Sequence, residues 1–440
     1  MKLSSISLSL LMLMPLHQAL AQSELNKAVA KDYTSHLSAL FDHFHRNPEL
    51  SFMEVKTAAR LAKELRSAGF DVTEGVGGTG IVAIMKNGKG PLVMMRADMD
   101  GLPVEEKSGL SNASKVTEKD REGNLFPVMH ACGHDVHITA LVGTARQMAA
   151  NKSNWSGTLM LVGQPAEERV GGALAMKKDG IWERFGRPDY AMAFHVSSDI
   201  ETGKIVAEDG AMYSGVDTVE IEVRGVGAHG ASPQSGKDPV VLGSQIVMAL
   251  QTIISREKAP REPGLITVGT FHAGTKANII SDHAKLQLTV RSESAKTRTM
   301  LLDAITRVAM NIARAAGVAE DNLPIVTLVD TPTPSTLNDP GLARRLKKSW
   351  TEKMGTSIIK TDHVRNGMGA EDFAFFTADP YIPSVYFAVG GTPRAELDIA
   401  AAGGKPVPSH HSPIFKISSE PSVRVGVEAT VVALMDLLKK

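Results

Sequence analysis

Leu92-Val93-Met94-Met95-Arg96-Ala97-Asp98-Met99-Asp100-Gly101-Leu102-Pro103 decides the fold class. An unbroken apolar run without alternation reads as a strand buried on both faces, and here charged residues crowd in directly after it. The order recurs. Leu159–Val162 runs into Gln164-Pro165-Ala166-Glu167-Glu168, and Ala191–Phe194 ends at His195. Ile81–Met85 and Ser384–Ala388 are further runs of strand length. Helical spacing fills the intervals: Leu37, Leu40, Phe41 and Phe44 within Tyr33–His45, then Val55, Ala58, Ala59, Ala62 and Leu65 within Glu54–Ala68, capped by Gly69. Ile138–Ala149 carries a single apolar stripe of Ile138, Leu141, Val142, Ala145 and Met148. Strands alternating with helices predict an α/β fold, its sheet covered by helices on both faces. Ligands of such sheets bind at the carboxyl ends of the strands, so these separated polar clusters are expected to converge.

The texture changes near Val216. Val219, Ile221 and Val223 alternate with acidic residues, as in a half-exposed antiparallel strand. A helix over Pro239–Ser255, strands near Leu265–Phe271 and Ala284–Arg291, a helix over Arg298–Ala316 and a strand at Ile325–Leu328 complete the order β-α-β-β-α-β. This predicts a small α+β domain over residues 216–330, inserted between parts 22–215 and 331–440 of a main domain. Thr331-Pro332-Thr333-Pro334 reads as the hinge back.

The 440 residues balance 48 basic against 48 acidic side chains, which removes the electrostatic case for a nucleic-acid partner. At the N-terminus Lys2, an apolar run from Ile6 to Leu16 and Ala19-Leu20-Ala21 have the form of a secretory signal, residues 1–21. The expectation is export to the periplasm or beyond, with no membrane span in the mature chain. The sole cysteine, Cys132, has no partner for an internal disulfide. It lies two residues from His134 in Met129-His130-Ala131-Cys132-Gly133-His134-Asp135, a spacing that suits a transition-metal site as well as a buried thiol acting as a small hydrophobe. Convergence with the other clusters favours the metal.

Glu167-Glu168 after a proline could be solvated loop charges. Beside a metal the pair divides its labour, one carboxylate coordinating and its neighbour taking a proton from water. His410-His411-Ser412-Pro413 is either a surface pair or the source of a further ligand. His229, within Gly225-Val226-Gly227-Ala228-His229-Gly230-Ala231, is a turn residue or a hydrogen-bond donor to a developing oxyanion. Arg291 suits bidentate capture of a carboxylate, although an arginine at a strand end is usually a surface charge.

Taken together, Arg96-Ala-Asp98-Met-Asp100-Gly-Leu-Pro103, His130-Ala-Cys132-Gly-His134-Asp135, Gln164-Pro-Ala-Glu167-Glu168 and Gly369-Ala-Glu371-Asp372-Phe373 resemble one family closely. It is the metal-dependent aminoacylase/carboxypeptidase amidohydrolase family, in the branch of hippurate hydrolases and auxin-amino-acid conjugate hydrolases. The resemblance implies a two-metal catalytic domain with a central mixed sheet flanked by helices, and a smaller inserted lid or dimerisation domain. It implies hydrolysis of the amide bond of N-acyl amino acids, with carboxypeptidase or dipeptidase action on short peptides as the alternative. By motif, Cys132, His134, Glu168, His195 and His411 would be the metal ligands, Glu167 the general base and acid, and Asp100 the residue that orients a ligand. Asp98 stands where other branches carry a ligand histidine. His229 would stabilise the oxyanion, while Asn278 and Arg291 would hold the substrate carboxylate. Two divalent ions are implied, zinc or manganese, with cobalt or nickel also compatible with the donors. A homodimer or higher homo-oligomer is expected, with small-molecule N-acyl amino acids as substrate. Val136, Val170–Gly172 and the charged loop Lys107–Phe126 depart from the family's pattern and bear on acyl-group specificity.

Overall fold

The computed structural model describes residues 24–440, so the signal segment expected over 1–21 lies outside the described residues. The chain folds as two compact units. One comprises the chain up to Met212 together with Leu337–Val364 and Phe375–Lys440, the other Tyr213–Thr336 together with Arg365–Ala374. The segment Arg365–Ala374, placed by the sequence with the main domain, thus packs with the smaller unit. Its anchors are backbone hydrogen bonds such as Ser214 N–H to the Gly369 carbonyl, 2.8 Å.

The first unit is built on a seven-stranded mixed sheet: β1 (Asp71–Val76), β2 (Gly80–Asn87), β3 (Leu92–Asp98), β4 (Gly157–Gln164), β5 (Tyr190–Glu201), β6 (Ile205–Val206) and β7 (Ser384–Thr392). The spatial order is β1-β2-β4-β3-β5-β7-β6. The central four strands β4, β3, β5 and β7 run parallel, while β2 and β6 pair antiparallel at their flanks. Their continuous apolar sequences follow from burial on both faces: Val93, Met94 and Met95 in β3 and Leu159, Met160 and Leu161 in β4 are all sealed from solvent. β5 does not stop at His195, as the sequence suggested, but continues to Glu201 along β7, where Ala388 pairs with His195.

The helix His134–Ala150 is buried nearly all round, although its sequence shows a single apolar stripe. Its first turn is polar as well as buried: His134 and His137 face the carboxyl ends of β3, β4 and β5, while Asp135 turns to His45. Gly133 precedes it at φ +87°, and a Cβ there would lie 2.4 Å from Val196 Cγ1 of β5. Only glycine makes that turn while letting the strand approach so closely.

The second unit has one antiparallel sheet in the order Gly264–Ala273, His283–Ser292, Gly215–Arg224, Ile325–Leu328, with helices Pro239–Thr252 and Ala295–Ala315 against it. Its core is separate from that of the first and includes Val219, Ile221, Leu286, Leu288, Leu301 and Ile305. The helical stretch Pro239–Glu257 is long and apolar enough by composition to cross a membrane, contrary to the expectation that no later segment would be. Exposed Val240, Val241 and Met248 raise its hydropathy, while Leu242, Ile246, Leu250 and Ile253 form the stripe packed into this core.

Candidate metal centre

Asp98 closes β3 and Asp100 follows two residues on, and the Gln164–Glu168 stretch leaves β4 beside them, Asp98 pairing with Gln164 across the two parallel strands. That loop is tightly wound. Ala166 and Val170 adopt positive φ of 50° and 51°, and a Cβ on Gly172 would fall 1.6 Å from the Pro165 carbonyl oxygen. Backbone strain of this kind persists where surrounding bonds enforce it. Two carboxylates do so here. Asp100 accepts the Glu167 N–H through Oδ1 (3.1 Å) and the Glu168 N–H through Oδ2 (3.0 Å), and Ser51 Oγ donates to Oδ2 at 2.6 Å. Buried Glu54 accepts the Ala166 N–H at 2.8 Å. The Glu167-Glu168 pair is therefore fixed by its backbone, which leaves its side chains facing the centre.

Fixed partners of Nδ1 orient the His134 and His195 rings. His134 Nδ1 donates to the Asp100 carbonyl oxygen at 2.8 Å, which turns its Nε2 to the centre. Burial opposes its charge, yet Asp98, Asp100 and Glu168 raise its pKa to about 10, so a cation bound at Nε2 would displace a proton. That Nε2 lies 3.8 Å from Glu168 Oε1, 3.9 Å from Glu167 Oε2 and 3.8 Å from Asp98 Oδ2. His195 Nδ1 donates to the Val196 carbonyl at 2.6 Å, which leaves its Nε2 bare and 3.3 Å from Cys132 Sγ. His411 Nε2 stands 3.3 Å from Glu168 Oε2, and its own backbone N–H donates to the Ala131 carbonyl at 2.8 Å, which ties the His410-His411 loop to the Cys132 turn.

Cys132, His134, Glu168, His195 and His411 thus come together, with Glu167 among them, in overlapping donor groups that could hold a metal ion. Among the candidate ligands, the buried atoms His134 Nε2 and Glu168 Oε1 meet no hydrogen-bond partner. Uncompensated buried atoms of this kind are costly unless something else binds them. Burial pushes the Cys132 thiol well up, and the carboxylates of Glu168, Glu167 and Asp98 add to it. Burial also holds His195 well below its ordinary value and so neutral, helped by neighbouring His137 and His410. A thiol and clustered carboxylates beside imidazoles whose inner nitrogens face them form a donor set that a divalent cation would complete, displacing the protons held there.

Asp98 has another task. Burial opposes its ionisation, but the charges of His134 and Arg96 and the hydrogen bond from His137 win and hold it well below the usual carboxylate range. Arg96 Nη1 donates to its Oδ2 at 2.6 Å and His137 Nδ1 meets its Oδ1 at 2.5 Å. His137 and His410 were not singled out as ligands by the sequence, and both sit within the donor groups. The Nε2 of His137 accepts the Val196 N–H at 2.9 Å, so both its nitrogens are occupied and it braces Asp98. Its spacing from His134, i and i+3 on one helix, was the available signal. Behind them His45 bridges Asp135 (2.7 Å) and Glu106 (3.3 Å). Burial opposes its charge, yet the two carboxylates raise its pKa to about 10.

The remaining candidates lie in the second unit. His229 is exposed on the short strand Ala228–His229, its Nδ1 accepting the Ala231 N–H at 3.0 Å. Asn278 is its neighbour, the Asn278 carbonyl accepting the Gly230 N–H at 2.9 Å. Arg291 is elsewhere in that unit, on the strand His283–Ser292, where its Nη1 donates to the Met368 carbonyl at 2.7 Å. Glu371 and Asp372 are buried there as well, and Glu371 Oε1 accepts the Phe373 N–H at 2.9 Å.

A parallel-stranded core whose strand ends gather a thiol, carboxylates and imidazoles defines a metallohydrolase site. Peptidase family M20/M25/M40 matches residues 94–402, and the chain belongs to it. It is 36% identical over 333 residues to the hippurate hydrolase of Campylobacter jejuni, covering 76% of this chain and 82% of that one. Among solved structures, an aminohydrolase of methicillin-resistant Staphylococcus aureus superposes with a TM-score of 0.83 at 30% identity, covering 95% of this chain and 100% of that one. A dinuclear metal-binding M20 peptidase of Bacillus subtilis superposes with a TM-score of 0.74 at 25% identity, covering 93% and 99%.

Proposed function

We propose that the chain hydrolyses the amide bond of N-acyl and N-aroyl amino acids, releasing a free amino acid and a carboxylic acid. The observation that carries this is the convergence of the inward Nε2 atoms of His134 and His195 on Glu168 and Cys132, with Glu167 beside them. The hippurate hydrolase relative supports the substrate class. Cys132, His134, Glu168, His195 and His411 would hold two divalent cations, a number supported by the dinuclear Bacillus relative. Zinc or manganese suits the donors, and cobalt or nickel can replace them. When bound, the ions would polarise the scissile carbonyl and acidify water at the site.

The chain's own residues supply the proton handling. Glu167 takes a proton from the attacking water and returns it to the leaving nitrogen, so one carboxylate serves as base and then acid. Asp100 keeps it aimed through the Glu167 N–H. His229 is assigned the oxyanion, and Asn278 and Arg291 the substrate carboxylate. Export after cleavage near Ala21 and a homodimer complete the proposal. N-terminal sequencing of the mature chain and sedimentation would test them.

The functional test is a panel of N-acyl amino acids varied in both halves, run beside dipeptides with each metal added. Release of amino acid from hippurate-type amides is expected to exceed release from dipeptides. A preference for dipeptides would favour the carboxypeptidase reading, and no release from either would refute amide hydrolysis.

A further inference from the structure

Two imidazoles flank the single sulfur, and they present opposite polarity to it. His195 turns a bare Nε2 toward Cys132 Sγ at 3.3 Å, because its Nδ1–H is spent on the Val196 carbonyl. His410 turns Nδ1 toward the same sulfur at 3.7 Å. Its Nε2 accepts the backbone N–H of Ser198 at 3.2 Å. A neutral imidazole carries one N–H, and a nitrogen that accepts from a backbone amide cannot be the one that holds it. The proton of His410 therefore sits on Nδ1, between the ring and the sulfur. As a thiol the sulfur can donate its S–H to the His195 lone pair; once it is a thiolate, that lone pair calls for a cation between them, whereas an N–H does not.

We propose that His410 is a positioning residue for Cys132, donating a hydrogen bond from Nδ1 to the thiolate and not itself binding metal. The proposal rests on the reading of Cys132 as a ligand. The ring is held for this task from three sides. It packs on Phe415 with centroids 4.7 Å apart, meets His195 edge-on at 5.3 Å, and is registered by the Ser198 N–H. Ser198 belongs to β5, the strand that carries His195, so a single strand sets the direction of both rings. Ligation by Nδ1 would move the proton to Nε2 and point two N–H groups at each other, at His410 and Ser198. A hydrogen bond donated to a ligating sulfur draws electron density from it, and so tunes the metal from outside its ligand shell.

The test uses the full chain loaded with cobalt(II), read by its thiolate-to-cobalt absorption band and by metal content. His410→Leu and His410→Met both remove the donor, while His410→Asn returns an N–H near the place of Nδ1. The expected result is a band shifted to lower energy in both donor-less variants, with cobalt content unchanged, and a return toward the wild-type position in His410→Asn. A band unmoved in the donor-less variants would overturn the proposal. Loss of a cobalt ion in them would overturn it too, by making His410 a ligand. A wild-type chain with bound cobalt but no thiolate band would instead refute Cys132 as a ligand, and the proposal with it.

Discussion

The donor cluster of the first unit and the His229 stretch of the second solve opposite problems. Around Cys132 the candidate ligands are oriented by buried partners. Asp100 fixes two backbone amides, His137 braces Asp98, and the Nε2 atoms of His134 and His195 face the donor groups. His229 is exposed and restrained by one local hydrogen bond, with Asn278 beside it. Buried preorganisation suits groups that must hold charge in fixed geometry, since an electrostatic site gains most when nothing reorganises during reaction. An exposed, Gly-flanked histidine suits a group that engages only when substrate is present.

The comparison breaks first at Glu167. Glu167→Gln should lower kcat by about 10²- to 10⁴-fold, the usual contribution of a general base, with metal content unchanged by elemental analysis. If metal is lost along with activity, Glu167 belongs among the ligands and the division of labour with Glu168 is wrong. His229→Ala should lower kcat by roughly 10²- to 10³-fold, the effect of losing one oxyanion donor, and should leave metal content and Tm unchanged. Steady-state kinetics showing a pure KM effect would reassign His229 to ground-state binding. Asp100→Asn should weaken metal binding by about 10- to 100-fold in competition with a chelator, because its carboxylate accepts the Glu167 and Glu168 N–H groups and lies 3.3 Å from His134 Nδ1. Unaltered affinity would mean the loop holds its shape through Glu54 alone.

A smaller effect concerns stability. His45 is raised in the folded chain to about 10, so its contribution is complete below the unfolded value near 6.5. It is then lost as pH climbs through the folded value. The wild-type Tm should therefore fall between about pH 7 and pH 10 more steeply than that of His45→Gln. Parallel Tm profiles for the two chains would show that the Glu106–His45–Asp135 bridge adds nothing.

How much of this could be read from the chain differs by residue. The strand runs ending at Asp98 and Gln164, and the motif that carries Cys132 and His134, are local patterns, and the sequence showed them. His195 was legible as a candidate, but the continuation of β5 to Glu201 was not, because it follows from pairing with β7, nearly two hundred residues away. The parts played by His137 and His410 were hidden for the same reason. Their tautomers are set by the N–H groups of Val196 and Ser198, and no spacing within their own segments contains that information. The packing of Arg365–Ala374 with the smaller unit likewise depends on long-range hydrogen bonds such as that between Ser214 and Gly369.

X-ray absorption at the zinc edge of the reconstituted chain probes the donor set most directly. The account predicts a sulfur scatterer at about 2.3 Å beside nitrogen and oxygen at about 2.0–2.2 Å, with the sulfur lost in Cys132→Ser. A zinc-loaded chain whose spectrum holds only nitrogen and oxygen would contradict it.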